Sequence, residues 1–492
     1  MKRILALALC LLALCPAALC ETYVAESYGT DETLGYCMLI RDDGTPLTPP
    51  RTYSSIYRIT PEGTPEADRL YAVTPLDLGI EYDPETAEDM IDGTGYTRMG
   101  LMDAEGKLLT GFDYESLDYD NGYVSFTLPG GSALSGGMDP SGNVVIEPVY
   151  ASIKSMGNGR WLAMAMPEDA SAIKRVDDGD GEYTEEIDYD VVCVEGDGNV
   201  RKLGLHTRDR WFNVNPEGIC ALWSVDEYGG QTVYIDSSGA LMFDKSFRYG
   251  ENFEGDYAVV AESELYGVID KRGEYVIPPE YDYISTETGK PIIATRGSSF
   301  TIYDPASLEM IMTRDYEEGA DVSANAITRD LLGVVADDVV GVYRITGELL
   351  FEVPGDSYLQ LYGYNGGDIR RLVQSSGDWP EEYYRLIDLE GNAVSGNYRM
   401  VDSGTWRDGH GRFVTGDYKY VMDSDGEPMV DWNTYRYGLI DENGETLLPM
   451  VYDELRPLAY DRFWAVAGGQ SGLIDAEGKW YYTVSDYETL MD

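Results

Sequence analysis

Short apolar stretches bounded by Asp, Gly or Pro follow one another along the whole chain. The clearest copy is apolar from Tyr266 to Ile269, turns through Asp270 and Gly273, and becomes apolar again before Pro278. Apolar runs of this length, without helical periodicity, predict β-strands. The Asp can accept hydrogen bonds from backbone amides two residues later, and the Gly supplies the positive φ of a tight hairpin. The Pro then ends the second strand because it has no N–H to donate.

This unit recurs at a nearly constant spacing. The interval from Asp236 to Asp270 is the same as the interval from Asp270 to Asp304, and it occurs again from Asp441 to Asp475. A fixed period in this range is typical of solenoids, propellers and related arrays. One such unit of three or four short strands cannot bury its own apolar face, so neighbouring units must stack. The Asp and Gly pairs predicted to form the repeat turn are Asp103 and Gly106, Asp139 and Gly142, Asp236 and Gly239, Asp270 and Gly273, Asp388 and Gly391, Asp441 and Gly444, and Asp475 and Gly478.

These residues resemble the WG-repeat family, whose pattern is Trp/Tyr-Gly-apolar-Ile-Asp-x-x-Gly followed by Ile-Pro-Pro and Tyr-Asp. A second full copy runs from Tyr437 to Asp453, and the resemblance covers most of the chain after about residue 35 in roughly ten or eleven copies. Copies near Cys193, Asp304 and Val342 have lost the Gly or the Asp. The resemblance implies a bacterial exported protein without enzyme activity.

The period and the resemblance together predict an all-β fold of tandem antiparallel repeats with three or four strands each. We expect a β-propeller-like array. An open twisted β-solenoid is the alternative, because some spacings are irregular, such as the much shorter interval between Asp423 and Asp441. The predicted divisions are a secretory signal peptide at 1–20, a divergent repeat region at 21–97 and the WG-type repeat array at 98–492.

The segment 1–20 has the layout of a secretory signal peptide. Lys2 and Arg3 precede an apolar run from residue 4 to residue 14, and polar sequence begins at Glu21. The run is too short to span a bilayer as a helix, and no later segment is apolar enough to do so. Cleavage after Cys20 predicts a secreted or cell-surface protein. A lipid anchor on Cys20 is the alternative, although Leu19 is larger than such a signal requires.

Charge limits the classes of partner. The chain has 88 Asp and Glu against 36 Lys and Arg, a formal net charge of −52. This field repels phosphate backbones, so we predict no nucleic-acid partner. Neutral sugars, cations and basic protein surfaces stay open as ligands.

Three cysteines follow the predicted signal peptide, namely Cys37, Cys193 and Cys220. An odd number allows at most one internal disulfide. Cys193 with Cys220 is the plausible pair, and the sequence leaves its formation open.

Two Asp-rich segments have the alternating oxygen ligands of calcium loops. Neither has the full spacing of an EF-hand, and the competing interpretations are a solvated insert for the first and an ordinary repeat turn for the second. We therefore predict no cofactor, with Ca²⁺ as the one ion considered. The residues concerned are Asp178, Asp180 and Glu182, and Asp423, Asp425 and Glu427.

Trp residues are candidate stacking platforms for sugar rings. Trp464 and Trp480 fall in predicted repeat strands and are expected in the core. Trp379 and Trp406 lie in stretches rich in Gly and Asp, so these two are the predicted exposed ligand-binding residues.

No arrangement of nucleophile and base stands out, because His206 and His410 are the only histidines. We therefore predict a non-catalytic exported repeat scaffold that binds protein or glycan at the bacterial cell surface. The alternative is a carbohydrate-active enzyme of the glycoside hydrolase type, which would use paired carboxylates on the repeat face.

Overall fold

The computed structural model describes most of the chain after residue 20. The described residues are 21–27, 36–76, 98–130, 134–168, 172–177, 183–226, 229–287, 290–317, 320, 322–327, 330–336, 339–354, 359–360, 372–376, 382–402, 405–407, 410–422 and 427–485. They fold into two compact units. The described residues within 1–112, 436–439 and 447–492 form one unit, and those within 113–435 and 440–446 form the other.

The first sheet is a five-stranded antiparallel meander. A short 3₁₀ turn, Glu66–Asp68, lies between its third and fourth strands. Its strands, in sheet order, are β1 (Thr22–Ser27), β2 (Tyr36–Arg41), β3 (Tyr53–Arg58), β4 (Leu70–Pro75) and β5 (Gly100–Asp103). The described part of 21–97 therefore forms one sheet with β5, the strand that carries the first repeat turn.

The following sheets repeat the same antiparallel connectivity, and each is made from strands close in sequence. In chain order the strands are β6 (Ser116–Asp120), β7 (Tyr123–Thr127), β8 (Ser135–Met138) and β9 (Val144–Tyr150); β10 (Ser152–Gly157), β11 (Arg160–Ala165), β12 (Ile173–Asp177), β13 (Tyr183–Ile187), β14 (Tyr189–Glu195) and β15 (Val200–Thr207); β16 (Cys220–Asp226) and β17 (Gly229–Ile235); and β18 (Tyr249–Gly250), β19 (Tyr257–Ala261), β20 (Tyr266–Asp270) and β21 (Tyr275–Tyr281).

The remaining strands continue this series. They are β22 (Tyr283–Ser285), β23 (Ile292–Arg296), β24 (Ser299–Tyr303) and β25 (Met310–Asp315); β26 (Val322–Ala326), β27 (Leu331–Ala336), β28 (Val339–Arg344) and β29 (Leu349–Pro354); β30 (Leu359–Gln360), β31 (Leu372–Ser376) and β32 (Tyr383–Ile387); β33 (Met400–Val401), β34 (Thr405–Arg407), β35 (His410–Met422), β36 (Pro428–Asp441) and β37 (Thr446–Tyr452); and β38 (Glu454–Ala459), β39 (Arg462–Ala467), β40 (Gln470–Ile474) and β41 (Trp480–Ser485).

One hairpin interrupts the repeat period. β12 and β13 pair only with each other, and the surrounding sheet has the order β10-β11-β14-β15. Elsewhere the usual sheet is a four-stranded meander such as β18-β19-β20-β21. The predicted fold class, all-β with tandem antiparallel repeats of three or four strands, is therefore confirmed.

The hydrophobic core lies between successive sheets, because each short sheet buries its apolar faces against its neighbours. Val259 and Val268 of one sheet, for example, pack with Ile284 and Ala294 of the next. In the same way, Ile302 of that sheet packs with Val334 of the sheet after it.

The first sheet also packs against the last sheet, within one unit. Met38 of β2 lies in one buried cluster with Trp464 and Leu473 of β39 and β40. The Tyr36 hydroxyl lies 3.2 Å from the Ser471 hydroxyl in this buried contact. The beginning and the end of the repeat series therefore stabilise each other directly.

The three cysteines of the described chain are free and buried, so the disulfide that the sequence left open is not formed. Cys193 and Cys220 lie on β14 and β16, and complete burial raises the pKa of Cys220 to about 12. A thiol in that environment is protonated and unreactive. In the described part of the chain no helix has the length and apolarity needed to cross a membrane. The predicted signal peptide lies outside the described residues.

Candidate ligand-binding site

The repeat turns share one hydrogen-bonding pattern. In the clearest copy, Asp270 Oδ1 accepts from the backbone N–H of Arg272 at 2.9 Å and of Glu274 at 3.1 Å, and Gly273 has a φ of 77°. The other six predicted pairs have the same two bonds and a positive φ at Gly. These Asp side chains are therefore occupied in holding the hairpin.

The carboxylates of several turns are held in the ionised form. For Asp139, Asp236 and Asp270, burial acts to raise the pKa, but the hydrogen bonds donated to the carboxylate outweigh it, so each pKa lies below its ordinary value. An Asp with this many donors is a structural residue rather than a proton donor or a free ligand.

The same turn also occurs where the sequence pattern is incomplete. Asn215 Oδ1 accepts from the N–H groups of Glu217 and Ile219 at 3.0 and 2.9 Å. The copies near Cys193 and Val342 keep the turn glycine, at Gly198 and Gly347, and have Glu and Arg at the Asp position. The amide oxygen of Asn215 shows that a neutral acceptor can replace the carboxylate, and the turns at Glu195 and Arg344 form without an Asp or Asn at that position.

The glycine that precedes the apolar residues of the motif has a different purpose. A Cβ on Gly267 would lie 2.8 Å from the Ile277 carbonyl oxygen and 2.9 Å from the Pro279 nitrogen of the next strand. The equivalent Gly438 faces the Leu448 carbonyl oxygen at 3.0 Å. This glycine therefore permits close approach of its own backbone to that of the Pro-containing strand.

The residues predicted to bind ligands or calcium do not form a described site. Trp406 lies on β34, and Glu427 is exposed. Within the described ranges, no three or more His, Cys, Asp or Glu side chains are grouped so that they could hold a metal ion. The predicted residues that lie outside the described chain are Trp379, Asp178, Asp180, Glu182, Asp423 and Asp425.

A polar cleft of about 290 Å³ lies between the sheet β6–β9 and the sheet that follows it. Its walls come from β6, β7, β8 and β10 and from the loop between β15 and β16. The lining combines hydroxyl, carboxylate, ammonium, guanidinium and amide groups with three aromatic side chains, of which Trp211 alone is exposed. The lining residues are Ser116, Asp118, Ser125, Phe126, Thr127, Ser135, Ser152, Ile153, Lys154, Arg210, Trp211, Phe212 and Asn213.

Trp211 is the most exposed large apolar side chain described, with 89% of its surface accessible. Its backbone is nevertheless fixed on both sides. Arg210 Nη2 donates to the Ala151 carbonyl at 2.9 Å, and Phe212 is buried in the core cluster beneath the loop. The Trp211 N–H donates to Asp209 Oδ1 at 2.8 Å. An indole ring is thus presented to solvent at the cleft by a loop that is itself anchored.

The charged part of the cleft is a lysine between two aspartates. Lys154 Nζ lies 3.2 Å from Asp118 Oδ2 and 3.4 Å from Asp120 Oδ2. The two aspartates are two residues apart on β6, so their side chains share a face. Burial raises the pKa of Asp120, although the Lys154 ammonium and the hydrogen bond from the Ser125 hydroxyl act in the opposite direction. Asp120 lies beside the cleft rather than in its lining, and with the Arg210 guanidinium, which does line it, two cations balance the two carboxylates.

No local sequence pattern marks this cleft. Its walls are contributed by residues from Ser116 to Asn213, which are far apart along the chain. Trp211 lies in a connecting loop outside the repeat pattern, and its exposure depends on how Arg210 and Phe212 anchor it. Its residue type was the only signal in the sequence, because any Trp is a candidate stacking platform for a sugar ring.

Tandem antiparallel sheets with a shared turn and a core between neighbours define an all-β repeat protein. The family model of the WG containing repeat matches residues 136–166, 266–292 and 437–470. The chain therefore contains WG-type repeats at three places, as the resemblance of its motifs indicated.

Comparison with other proteins adds weak similarities of fold. No curated protein matches the chain. A eukaryotic initiation factor is similar at 10% identity and a TM-score of 0.35, over 79% of this chain and 93% of that chain. BamB from Moraxella catarrhalis is similar at 10% identity and a TM-score of 0.27, over 65% and 97%. Hsv2 from Kluyveromyces lactis is similar at 8% identity and a TM-score of 0.26, over 51% and 93%.

Proposed function

We propose that this protein is a non-catalytic, exported scaffold that binds a neutral glycan in the cleft beside Trp211. The observation that carries the proposal is an almost fully exposed indole, carried by an anchored loop, at the edge of a polar cleft. An aromatic face packs against the apolar face of a sugar ring, and the surrounding hydroxyl and carboxylate groups bind sugar hydroxyls. The cell surface, the location expected from the segment 1–20, is where such ligands are found.

The charge of the protein favours a neutral ligand. A net charge of −52 repels anionic polymers, while at the cleft the carboxylates of Asp118 and Asp120 are balanced by Lys154 and Arg210. The cleft volume lies near the lower end of the range for small-molecule pockets, so it suits a short stretch of a chain. Oligosaccharides without charged groups fit both conditions.

The test is an array of neutral and acidic glycans, probed with the wild-type protein and two variants. We expect the wild type to bind neutral glycans and Trp211→Ala to lose about 2 kcal/mol of binding free energy, or about thirtyfold in Kd. The matched control is Trp432→Ala, which removes another exposed indole on a different repeat. Equal binding by wild type and Trp211→Ala contradicts the proposal.

A second candidate function is glycoside hydrolysis in the same cleft. Asp120, with its raised pKa, and the neighbouring Asp118 have the paired environments of an acid and a carboxylate partner. The position of Lys154 favours binding over catalysis, because its ammonium stabilises the ionised form of Asp120 and so opposes proton donation by that carboxyl. Turnover of chromogenic glycosides that disappears in Asp120→Asn would establish the enzyme instead of the binding scaffold.

A further inference from the structure

A long hairpin formed by β35 and β36 lies between the repeat turns of Asp388 and Asp441 in the chain. β35 and β36 have 13 and 14 residues, whereas the other described strands have at most 8. β33 and β34 pair with β35 only between His410 and Gly416. Residues 417–422 and 427–435 are exposed or partly exposed, and we call them the outer hairpin.

The outer hairpin carries a cluster of aromatic rings. Trp432 and Tyr435 are stacked, with ring centroids 5.9 Å apart and an interplanar angle of 9°. Tyr418 lies against Tyr435 at 5.1 Å. Trp432 forms the outer face of this hairpin aromatic cluster and is 72% exposed.

The outer hairpin also carries exposed aliphatic side chains. Met422 and Met429 are 71% and 51% exposed, and Val421 is also exposed. Soluble proteins rarely leave such groups together in water unless the surface binds something. Methionine side chains are unbranched and adapt to varied partners, which suits a docking surface.

The charges of the outer hairpin identify the partner by its chemistry. The outer hairpin itself carries Asp417, Glu427 and Asp431 against Lys419, and Arg399 of the preceding loop lies over the Tyr420 ring. A second copy of this chain, with the same net charge of −52, is repelled. A cationic side chain is attracted both by the carboxylates and by the π-face of Trp432.

We infer that the hairpin aromatic cluster is a docking surface for a basic, partly apolar protein segment. Arginine or lysine side chains of the segment stack on Trp432 and pair with Asp417 and Asp431. Its apolar side chains cover Met422 and Met429. This surface lies on a different repeat from the Trp211 cleft, so the inference does not depend on the proposed glycan binding.

The test is fluorescence anisotropy with a labelled peptide of alternating arginine and leucine, and with a matched peptide of alternating glutamate and leucine. We expect the basic peptide alone to bind, with affinity that falls as salt rises. Trp432→Ala should weaken binding about tenfold, and Met422→Gln should weaken it less. Trp211→Ala is the matched control and should leave peptide binding unchanged. Thermal melting of each variant reports its folding.

Several results would overturn this inference. One is no binding of the basic peptide, and another is equal binding to wild type and Trp432→Ala. Equal loss in Trp211→Ala would reveal non-specific attraction by the acidic surface. Self-association that Trp432→Ala abolishes would identify a second copy as the occupant, and neutral glycan binding lost in Trp432→Ala would identify a sugar. Self-association of this kind would not bear on glycan binding at Trp211, whereas glycan binding that is lost in Trp432→Ala and kept in Trp211→Ala would contradict the Trp211 cleft as the glycan site as well.

Discussion

At the scale of single residues, an Asp side chain that accepts two backbone hydrogen bonds stabilises each of the seven predicted repeat turns. Asp475 Oδ1 accepts from the N–H groups of Glu477 and Lys479 at 3.0 and 2.9 Å, and the residue is almost fully buried. These two donors would otherwise remain unpaired within the turn, which costs stability. The sequence could predict this arrangement because it depends on residues only a few positions apart.

Replacement of Asp475 tests the role of the acceptor. Asp475→Ala should lower the free energy of unfolding by about 1–2 kcal/mol, because both amides lose their partner. Asp475→Asn should cost less than about 0.5 kcal/mol, since Asn215 performs the same function in this chain. Urea unfolding of the two variants provides the measurement. Equal destabilisation by Ala and Asn would show that charge, rather than an acceptor atom, holds the turn.

Single residues outside the repeat are harder to predict. The Gly- and Asp-rich surroundings of Trp379 and Trp406 favour exposed rings there, whereas the exposed indole at the described cleft is Trp211. Its exposure follows from the contacts of Arg210 with Ala151 and of Phe212 with the core, which are long-range and leave no local pattern. The local sequence can predict a turn, but which side chains are exposed on the surface depends on the whole fold.

At the scale of the strand, the motif glycine sets how closely two backbones approach. Gly267 of β20 lies against the backbone of β21, next to the Ile277 carbonyl and the Pro279 nitrogen. The pairing register shifts beside this glycine, between Tyr266 and Val268. The sequence predicted both strands but not this contact. A glycine is expected where the backbone needs a positive φ, and Gly267 does not have one.

An alanine at this position tests the close approach. Gly267→Ala should lower the free energy of unfolding by about 1–3 kcal/mol, because the new methyl group has to displace backbone atoms. Gly396→Ala is the control, since the nearest atom to its Cβ would be 4.0 Å away, and it should change stability little. Thermal melting of both variants distinguishes these outcomes. A neutral effect of Gly267→Ala would contradict the packing explanation for this glycine.

At the scale of the whole molecule, repeats gain stability from their neighbours, and the first and last repeats are neighbours too. Glu26 and Arg456 pair across this contact at 2.7 Å, beside the buried cluster around Trp464. The sequence predicted stacked repeats because a single small sheet cannot bury its apolar face. It could not predict that residues near opposite ends of the chain, such as Tyr36 and Ser471, meet.

A double-mutant cycle measures this end-to-end contact. Tyr36→Phe and Ser471→Ala each remove one hydroxyl of the buried pair. Their effects on the free energy of unfolding should be coupled by about 1 kcal/mol, because each hydroxyl loses its partner when the other is removed. Additive effects would mean that the first and last repeats do not pack as described.

Hydrogen–deuterium exchange measures, across the whole molecule, where a ligand binds. A neutral oligosaccharide selected on the array should slow amide exchange in residues 116–127, 151–154 and 208–213, which form the cleft around Trp211. Exchange in the outer hairpin and in the other repeats should stay unchanged. Protection confined to a different repeat, or no protection despite saturating ligand, would contradict glycan binding in this cleft.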